Sequence, residues 1–206
     1  MQLRLLKLNR AHPGPEQLFT QRLMLRRPEA ADFDEWSALR ARSAAFLKPF
    51  EPSWAQDELS RSAYRLRMRR QEAEITAGRG IPWFLFDLAN NVLVGGITLS
   101  NIRRGVSQTA TLGYWMGESY AGRGLMREAV IAVCGSAFER HGLHRLEAAT
   151  VLENERSQRL LRRCGFRDEG HARGYLKIAG TWRDHLLFAR LASDKPPEIC
   201  NKPASG

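Results

Sequence analysis

Leu112-Gly113-Tyr114-Trp115-Met116, followed by Tyr120-Ala121-Gly122-Arg123-Gly124-Leu125-Met126-Arg127, decides the fold. The first five residues close the run Ser107–Met116, which reads as a strand. Residues 122–140 read as a helix, because Leu125, Ala129, Val133 and Ala137 fall on one stripe. A strand, a glycine-rich turn and a helix N-terminus together present unpaired backbone N–H groups and a positive dipole end to an anion. Gly122 and Gly124 let a phosphate approach the backbone closely, and Arg123 and Arg127 add charge. Ala-Gly-Arg-Gly also occurs at 77–80, but there it follows a helix and precedes Pro82, so its glycines serve as a left-handed C-cap.

Toward the N-terminus, Trp83–Leu88 and Val92–Ser100 read as strands joined by a turn at Ala89-Asn90-Asn91. A helix covers roughly Gln56 to Ala77. Before it lies the aromatic loop Phe46-Leu47-Lys48-Pro49-Phe50-Glu51-Pro52, stiffened by two prolines. A further helix runs from Pro28 to about Ala45 with Phe33, Trp36 and Leu39 on its buried face, and Arg22–Arg26 is a short strand. Toward the C-terminus, His144–Thr150 is a strand, Asn154–Cys164 a helix, and Phe166–Lys177 and Thr181–Arg190 two closing strands. The expectation is one α/β domain over residues 18–191, with a mixed, mostly antiparallel sheet of about seven strands flanked by about four helices. A flexible arm precedes it at 1–17, and a disordered tail follows at 192–206.

Two nucleotide folds compete for the glycine turn. A Rossmann fingerprint needs a third glycine where Arg127 stands, and the elements before the turn are antiparallel hairpins rather than βαβ units. A P-loop needs Gly-Lys-Ser/Thr, which does not occur here. The pyrophosphate is therefore expected to belong to another carrier.

The 206 residues carry 32 Lys and Arg against 22 Asp and Glu, a net charge of +10 that attracts phosphates, nucleic acid or an acidic protein surface. Arg61, Arg65, Arg67, Arg69 and Arg70 crowd one helix, either as a solvated face or as a docking surface for ribosomal RNA or an acidic protein. Three scattered cysteines form no disulfide framework. His141 and His144 have no carboxylate to complete a ligand set, so no metal is expected. Apolar runs are too short to span a bilayer and the first fifteen residues do not read as a signal peptide, so the expected location is the cytoplasm.

Tyr120–Met126 resembles the acetyl-CoA pyrophosphate loop of GNAT acetyltransferases. Asn154-Glu155-Arg156-Ser157, with Leu160-Leu161 and Cys164-Gly165-Phe166, resembles their second signature. Phe46–Pro52, Gly113-Tyr114, Gly124-Leu125-Met126 and Gly180-Thr181-Trp182-Arg183-Asp184-His185 are similar to the ribosomal-protein-alanine N-acetyltransferase branch, and the resemblance extends from about residue 18 to residue 191. It implies a GNAT fold and acetyl-CoA-dependent N-acetylation without a metal. The implied acceptor is an N-terminal alanine or serine on a ribosomal or other protein. A small amine acceptor, such as a polyamine, amino acid or antibiotic, is the alternative, and a ribosome-associated assembly factor is a rival from another class. The loop departs from the family at Ala121, where Gln or Arg is usual. Whether the chain is a monomer or a dimer is left open.

Acetyl transfer to an amine needs a neutral nucleophile, a stabilised carbonyl oxygen and a proton for the leaving thiolate. An α-amino group, with a pKa near ~8, is partly neutral at pH 7, so positioning should contribute more than proton abstraction. The resemblance places a polarising backbone N–H near Trp115 or Met116 and sets Asn154 against the pantetheine arm. With these, Gly122, Arg123, Gly124, Met126 and Arg127 form the expected cofactor set. Ser157 is the candidate acid or water anchor, though Asn154 also reads as an N-cap and Ser157 as a first-turn residue. Glu51 and Glu118 are the candidate bases. Phe46 and Phe50 either line a peptide groove or pack their loop onto the core.

Overall fold

In the computed structural model, which describes residues 17–197, the apolar run at 81–87 forms a strand buried on both faces. Its alternation sorts the molecule into two layers. Trp83 and Leu85 join one core with Leu23, Leu25, Leu112, Met116 and the helix stripe Leu125, Ala129, Val133 and Ala137. Phe84 and Phe86 enter a second core on the opposite face with Trp36, Leu39, Tyr64 and Leu93. Burying a Leu, Val or Phe side chain contributes about 1.5–3 kcal/mol, so these two layers hold the sheet between helices.

In chain order the elements are β1 (Leu18–Phe19), β2 (Leu23–Arg26), α1 (Phe33–Arg42), α2 (Ala44–Leu47), α3 (Arg61–Thr76), β3 (Ile81–Asp87), β4 (Val92–Arg103), β5 (Thr109–Met116), α4 (Leu125–Glu139), β6 (Arg145–Val151), α5 (Glu155–Arg163), β7 (Arg167–Ile178) and β8 (Thr181–Leu191). The described residues thus hold eight strands where about seven were expected, because the two-residue β1 is too short to show a period. They hold five α-helices where about four were expected. The helix expected over 28–45 begins with a 3-10 turn at Ala30–Asp32 and breaks at Ser43 into α1 and α2. The aromatic loop contains a one-turn 3-10 helix, Lys48–Phe50. The helix expected from residue 56 starts at Arg61 instead, because Ser60 caps it by accepting the Ala63 N–H at 3.1 Å.

The sheet order is β1-β2-β3-β4-β5-β6-β8-β7, and its one parallel pair is β5 with β6. That pairing covers only Thr109–Thr111 against Arg145–Glu147. Beyond it, β5 stays paired to β4 as far as Met116 while β6 stays paired to β8 as far as Val151, so the two strands part. The expected arm lies outside the described residues apart from residue 17, as does the tail from 198 onward. The start of that tail is held in place: Ala192 N–H donates to the His144 carbonyl, and the Asp194 carboxylate accepts the Leu191 N–H at 2.8 Å.

Candidate active site

The gap between the parting strands opens into a cleft of ≈ 1120 Å³, somewhat above the usual range for ligand sites. It is lined by Leu112–Met116 of β5, Ala148–Val151 of β6, Ala121, Gly122 and Gly124 with the first turn of α4, the start of α5, and residues 45–47 and 49–52. Strand register fixes which backbone groups face it. Gly117 N–H donates to the Val94 carbonyl at 2.9 Å, and hydrogen-bonding direction alternates along an antiparallel pair. Trp115 therefore bonds to Gly96 of β4, whereas Tyr114 and Met116 turn their N–H and C=O toward the missing partner β6. Of the two donors expected near the thioester, Met116 has the backbone direction to reach the cleft.

At one end of the cleft, Gly122 and Gly124 have φ of 79° and 80°, conformations that only glycine adopts without strain. Gly124 is the N-cap of α4 and makes no side-chain cap bond, whereas α3 and α5 are capped by Ser60 and Asn154. The first-turn N–H groups of Leu125 and Met126 precede any intrahelical acceptor, and the first backbone bond of the helix is Glu128 N–H to Gly124 C=O. An uncapped helix start, with glycine at 122 and 124 and with Arg123 and Arg127 nearby in sequence, suits a pyrophosphate. The Met126 side chain is buried in the α4 core, so only its backbone is offered to the cleft. Glu128 ties this helix to the sheet edge, accepting from Arg22 at 2.6 Å and Thr20 at 2.8 Å.

The α5 start brings two expected residues together. Asn154 Oδ1 accepts the Ser157 N–H at 3.1 Å, so Asn154 caps the helix. Ser157 Oγ lies 2.6 Å from the Tyr114 hydroxyl. Desolvation by burial pushes the Tyr114 phenol well above the ordinary tyrosine range, only partly offset by the Ser157 hydrogen bond, so it stays protonated at neutral pH. Tyr114 stands in the sequence only as part of the strand and of the Gly113-Tyr114 resemblance, with no role of its own. Its position one residue before Trp115 on an alternating strand was the available signal.

On the opposite face of the sheet the candidates separate. Both carboxylate oxygens of Glu51 are held by buried Arg40, at 3.2 and 2.5 Å, and Oε2 also accepts from Trp54 Nε1 at 2.7 Å. The Arg40 guanidinium lies over Trp54 and Trp115, 4.5 and 5.1 Å from the ring centroids. Glu51 thus anchors its loop, whose backbone also reaches the β7–β8 turn through Ala179 N–H to Glu51 C=O. Glu118 is exposed at the cleft rim, with its N–H on Ser43 Oγ at 3.0 Å and no ion pair among the described residues. Phe46 is half-buried beneath Arg156, and Phe50 is exposed. The Trp115 side chain packs edge-on to Phe84 and so supports the wall. His185, buried on β8, also lines the cleft and was not singled out.

Other groups stand apart. The basic residues of α3 do not share one face: Arg61 pairs with Asp34, and half-buried Arg67 lies over Trp36. Burial pushes the Cys134 and Cys164 thiols up to about 11 and about 12, which keeps both protonated. Among the described residues no His, Cys, Asp and Glu side chains cluster in a way that could hold a metal ion, and no helix is long and apolar enough to cross a membrane.

A sheet that opens between two parallel strands over an uncapped helix start defines an acyl-CoA-dependent N-acyltransferase. Residues 22–167 match the acetyltransferase (GNAT) domain family, and the chain belongs to it. It is 34% identical over 181 residues to the [ribosomal protein uS5]-alanine N-acetyltransferase of Escherichia coli strain K12, covering 88% of this chain and 93% of that protein. It is 33% identical over 166 residues to the probable N-acetyltransferase YjcK of Bacillus subtilis strain 168, covering 81% and 92%. Among solved structures it is similar to Mycobacterium smegmatis RimJ in complex with CoA-disulfide, with a TM-score of 0.82 and 30% identity over 87% of this chain and 88% of that one. The acyl donor is acetyl-CoA, and the residues at the α4 start fit it.

Proposed function

We propose that this enzyme acetylates the α-amino group of a protein N-terminus, with an alanine- or serine-initiated ribosomal protein as acceptor. The observation that carries this reading is the cleft itself, which passes through the sheet. The anion-binding start of α4 and the Tyr114–Ser157 pair lie on one face, and the loop at 45–52 with Glu118 lies toward the other. A chain end can thus enter opposite the cofactor. Near-full-length similarity to an alanine N-acetyltransferase supports the same acceptor.

Bound acetyl-CoA supplies the acyl group as an activated thioester. The N–H groups from Gly122 to Met126, with Arg123 and Arg127, hold the pyrophosphate. Asn154 spends Oδ1 on its cap, which leaves Nδ2 to donate to the pantetheine arm. Met116 N–H would donate to the acyl oxygen as it becomes an oxyanion, a fixed donor aimed at the charge that develops in the transition state. Tyr114 donates to Ser157 Oγ, so the serine proton can turn into the cleft toward the sulfur. Glu118 draws the ammonium to the rim, while Phe46 and Phe50 bracket the residues that follow the acceptor's first.

The test offers acetyl-CoA and three acceptors: an alanine-initiated peptide, the same peptide with a blocked N-terminus and a free lysine, and spermine. Mass spectrometry should find acetylation on the free α-amine alone. Preferential modification of spermine would move the enzyme to small amines, and modification of lysine would remove the N-terminal assignment.

A further inference from the structure

We infer that His185 takes the proton from the incoming ammonium, an assignment that rests on the α-amine reading above. Its place follows from register. Ala148 of β6 pairs with Phe188 of β8, and both enter the core beneath α4. Three residues along, Val151 pairs with His185, so alternation turns these two side chains to the other face. Trp115 shares that face, because its neighbour Met116 belongs to the α4 core. His185 therefore stands on the acceptor side of the opening, across it from the Tyr114–Ser157 pair.

The hydrogen bonding fixes the tautomer. Nδ1 lies 2.9 Å from the Arg183 backbone oxygen, which can only accept, so Nδ1 carries the hydrogen and Nε2 of the neutral ring carries a lone pair. Tyr175 packs against the ring at 5.6 Å and 64° and holds its orientation. The residue is 2% exposed yet borders the cleft, a position from which a base meets substrate rather than bulk water.

The other titratable groups on the cleft are less suited. Glu51 is saturated by Arg40 and Trp54, Glu153 is paired with Arg183 at 2.6 Å, and Glu155 is paired with Arg159 at 2.9 Å. Tyr114 stays protonated, and Lys177 carries the wrong charge for a base. Glu118 lies exposed at the rim, where it attracts the ammonium without being sheltered beside it. In the step itself an ammonium N–H bond breaks and an Nε2–H bond forms. The amine recovers its lone pair for attack and the ring becomes an imidazolium with both nitrogens protonated; the second proton that the nitrogen loses as the amide forms balances the one delivered to the leaving thiolate, and the imidazolium proton passes to water after turnover.

The test is kcat/KM for an alanine-initiated peptide between pH 6 and 9, in wild type and His185→Gln, with acetyl-CoA affinity and melting temperature measured on both. At pH 6.5, where an α-amine of pKa ~8 is mostly charged, the variant should be ~100-fold slower. By pH 9, where water has already supplied the neutral amine, the deficit should shrink to a few-fold, with acetyl-CoA affinity unchanged. A deficit constant with pH, or none, would overturn the assignment while leaving α-amine acetylation intact. A wild type inactive on every α-amine would instead overturn the reading beneath it. Nitrogen-15 spectra of the wild-type histidines test the same claim without any variant: the neutral ring should be protonated at Nδ1, and a resonance showing Nε2–H would refute it.

Discussion

Ala-Gly-Arg-Gly stands at both 77–80 and 121–124, and the structure uses the two copies at opposite ends of helices. In the first, Gly78 has φ of 67° and closes the C-terminus of α3: its N–H goes to Ile75 C=O, and the N–H groups of Arg79 and Gly80 go to Glu74 C=O. Arg79 folds back onto the Glu74 carboxylate at 2.8 Å, and Gly80 is not left-handed. In the second, both glycines are left-handed, Arg123 lies over the Tyr120 ring, and the N–H groups that follow open onto the cleft. The first copy satisfies its own helix at the negative end of the dipole, while the second leaves the positive end for a ligand. Four identical residues thus carry no function by themselves. The element before them and the element after them decide it.

The largest expected effect tests whether the opening beside the second copy is catalytic. If Ser157 delivers a proton to the sulfur, Ser157→Ala should lower kcat by ~10²-fold or more and leave the KM for acetyl-CoA nearly unchanged, because that interaction strengthens mainly in the transition state. The Asn154 cap bonds the Ser157 backbone N–H, which alanine retains, so the helix start survives; the lost Tyr114 partner should cost about 1–3 kcal/mol and lower the melting temperature without unfolding the site. An unchanged kcat would reduce Ser157 to a helix residue.

The next effect belongs to the first copy and should appear in stability alone. Gly78→Val forces a β-branched residue to positive φ at the α3 terminus, a strain of about 1–3 kcal/mol. That should lower the melting temperature by several degrees, with the affinity for acetyl-CoA intact. Loss of affinity would tie the two copies together and blur the distinction between them.

The contrast between the copies was legible in the sequence because each is flanked by a long, clearly periodic element. The same is true of most of the sheet: Trp83, Phe84, Leu85 and Phe86 announce a strand buried on two faces. What escaped lacked a period or depended on distant partners. Leu18–Phe19 is too short to show alternation, and the break at Ser43 interrupts a helix whose apolar spacing continues through it. The placement of β8 between β6 and β7 reflects pairing that no local pattern encodes. In the site, Asn154 and Ser157 were readable as neighbours one turn apart, but Tyr114 is 43 residues from Ser157, and only the fold joins them. Glu51 was visible as a carboxylate beside the acceptor loop. Its capture by Arg40 and Trp54 depends on α1 packing, which sequence spacing does not report.

The smallest expected effect concerns Ala121, the one position at which the loop departs from the pattern it resembles. Ala121 N–H bonds Glu118 C=O, and the residue is half-buried in extended backbone at the cleft edge. Ala121→Gln should tighten acetyl-CoA binding by at most a few-fold or leave it unchanged, as read by calorimetry. A clear loss would mean that this loop takes a shape of its own.

The cofactor role of the second copy is tested most directly by titrating acetyl-CoA calorimetrically into wild type, Gly124→Val and Gly80→Val, which alter the same position of the repeated tetrapeptide. A Cβ at Gly124 meets strained φ and comes within 3.3 Å of Arg22 Nη2 at the mouth of the loop; one at Gly80 meets Glu74 Cβ at 3.2 Å, away from the cleft. Gly124→Val should weaken binding at least ~10-fold, in line with a strain of about 1–3 kcal/mol that the bound loop must carry. Gly80→Val should bind like wild type even if it melts earlier. Equal losses in the two variants, or full affinity in Gly124→Val, would contradict the assignment of the α4 start as the acetyl-CoA site.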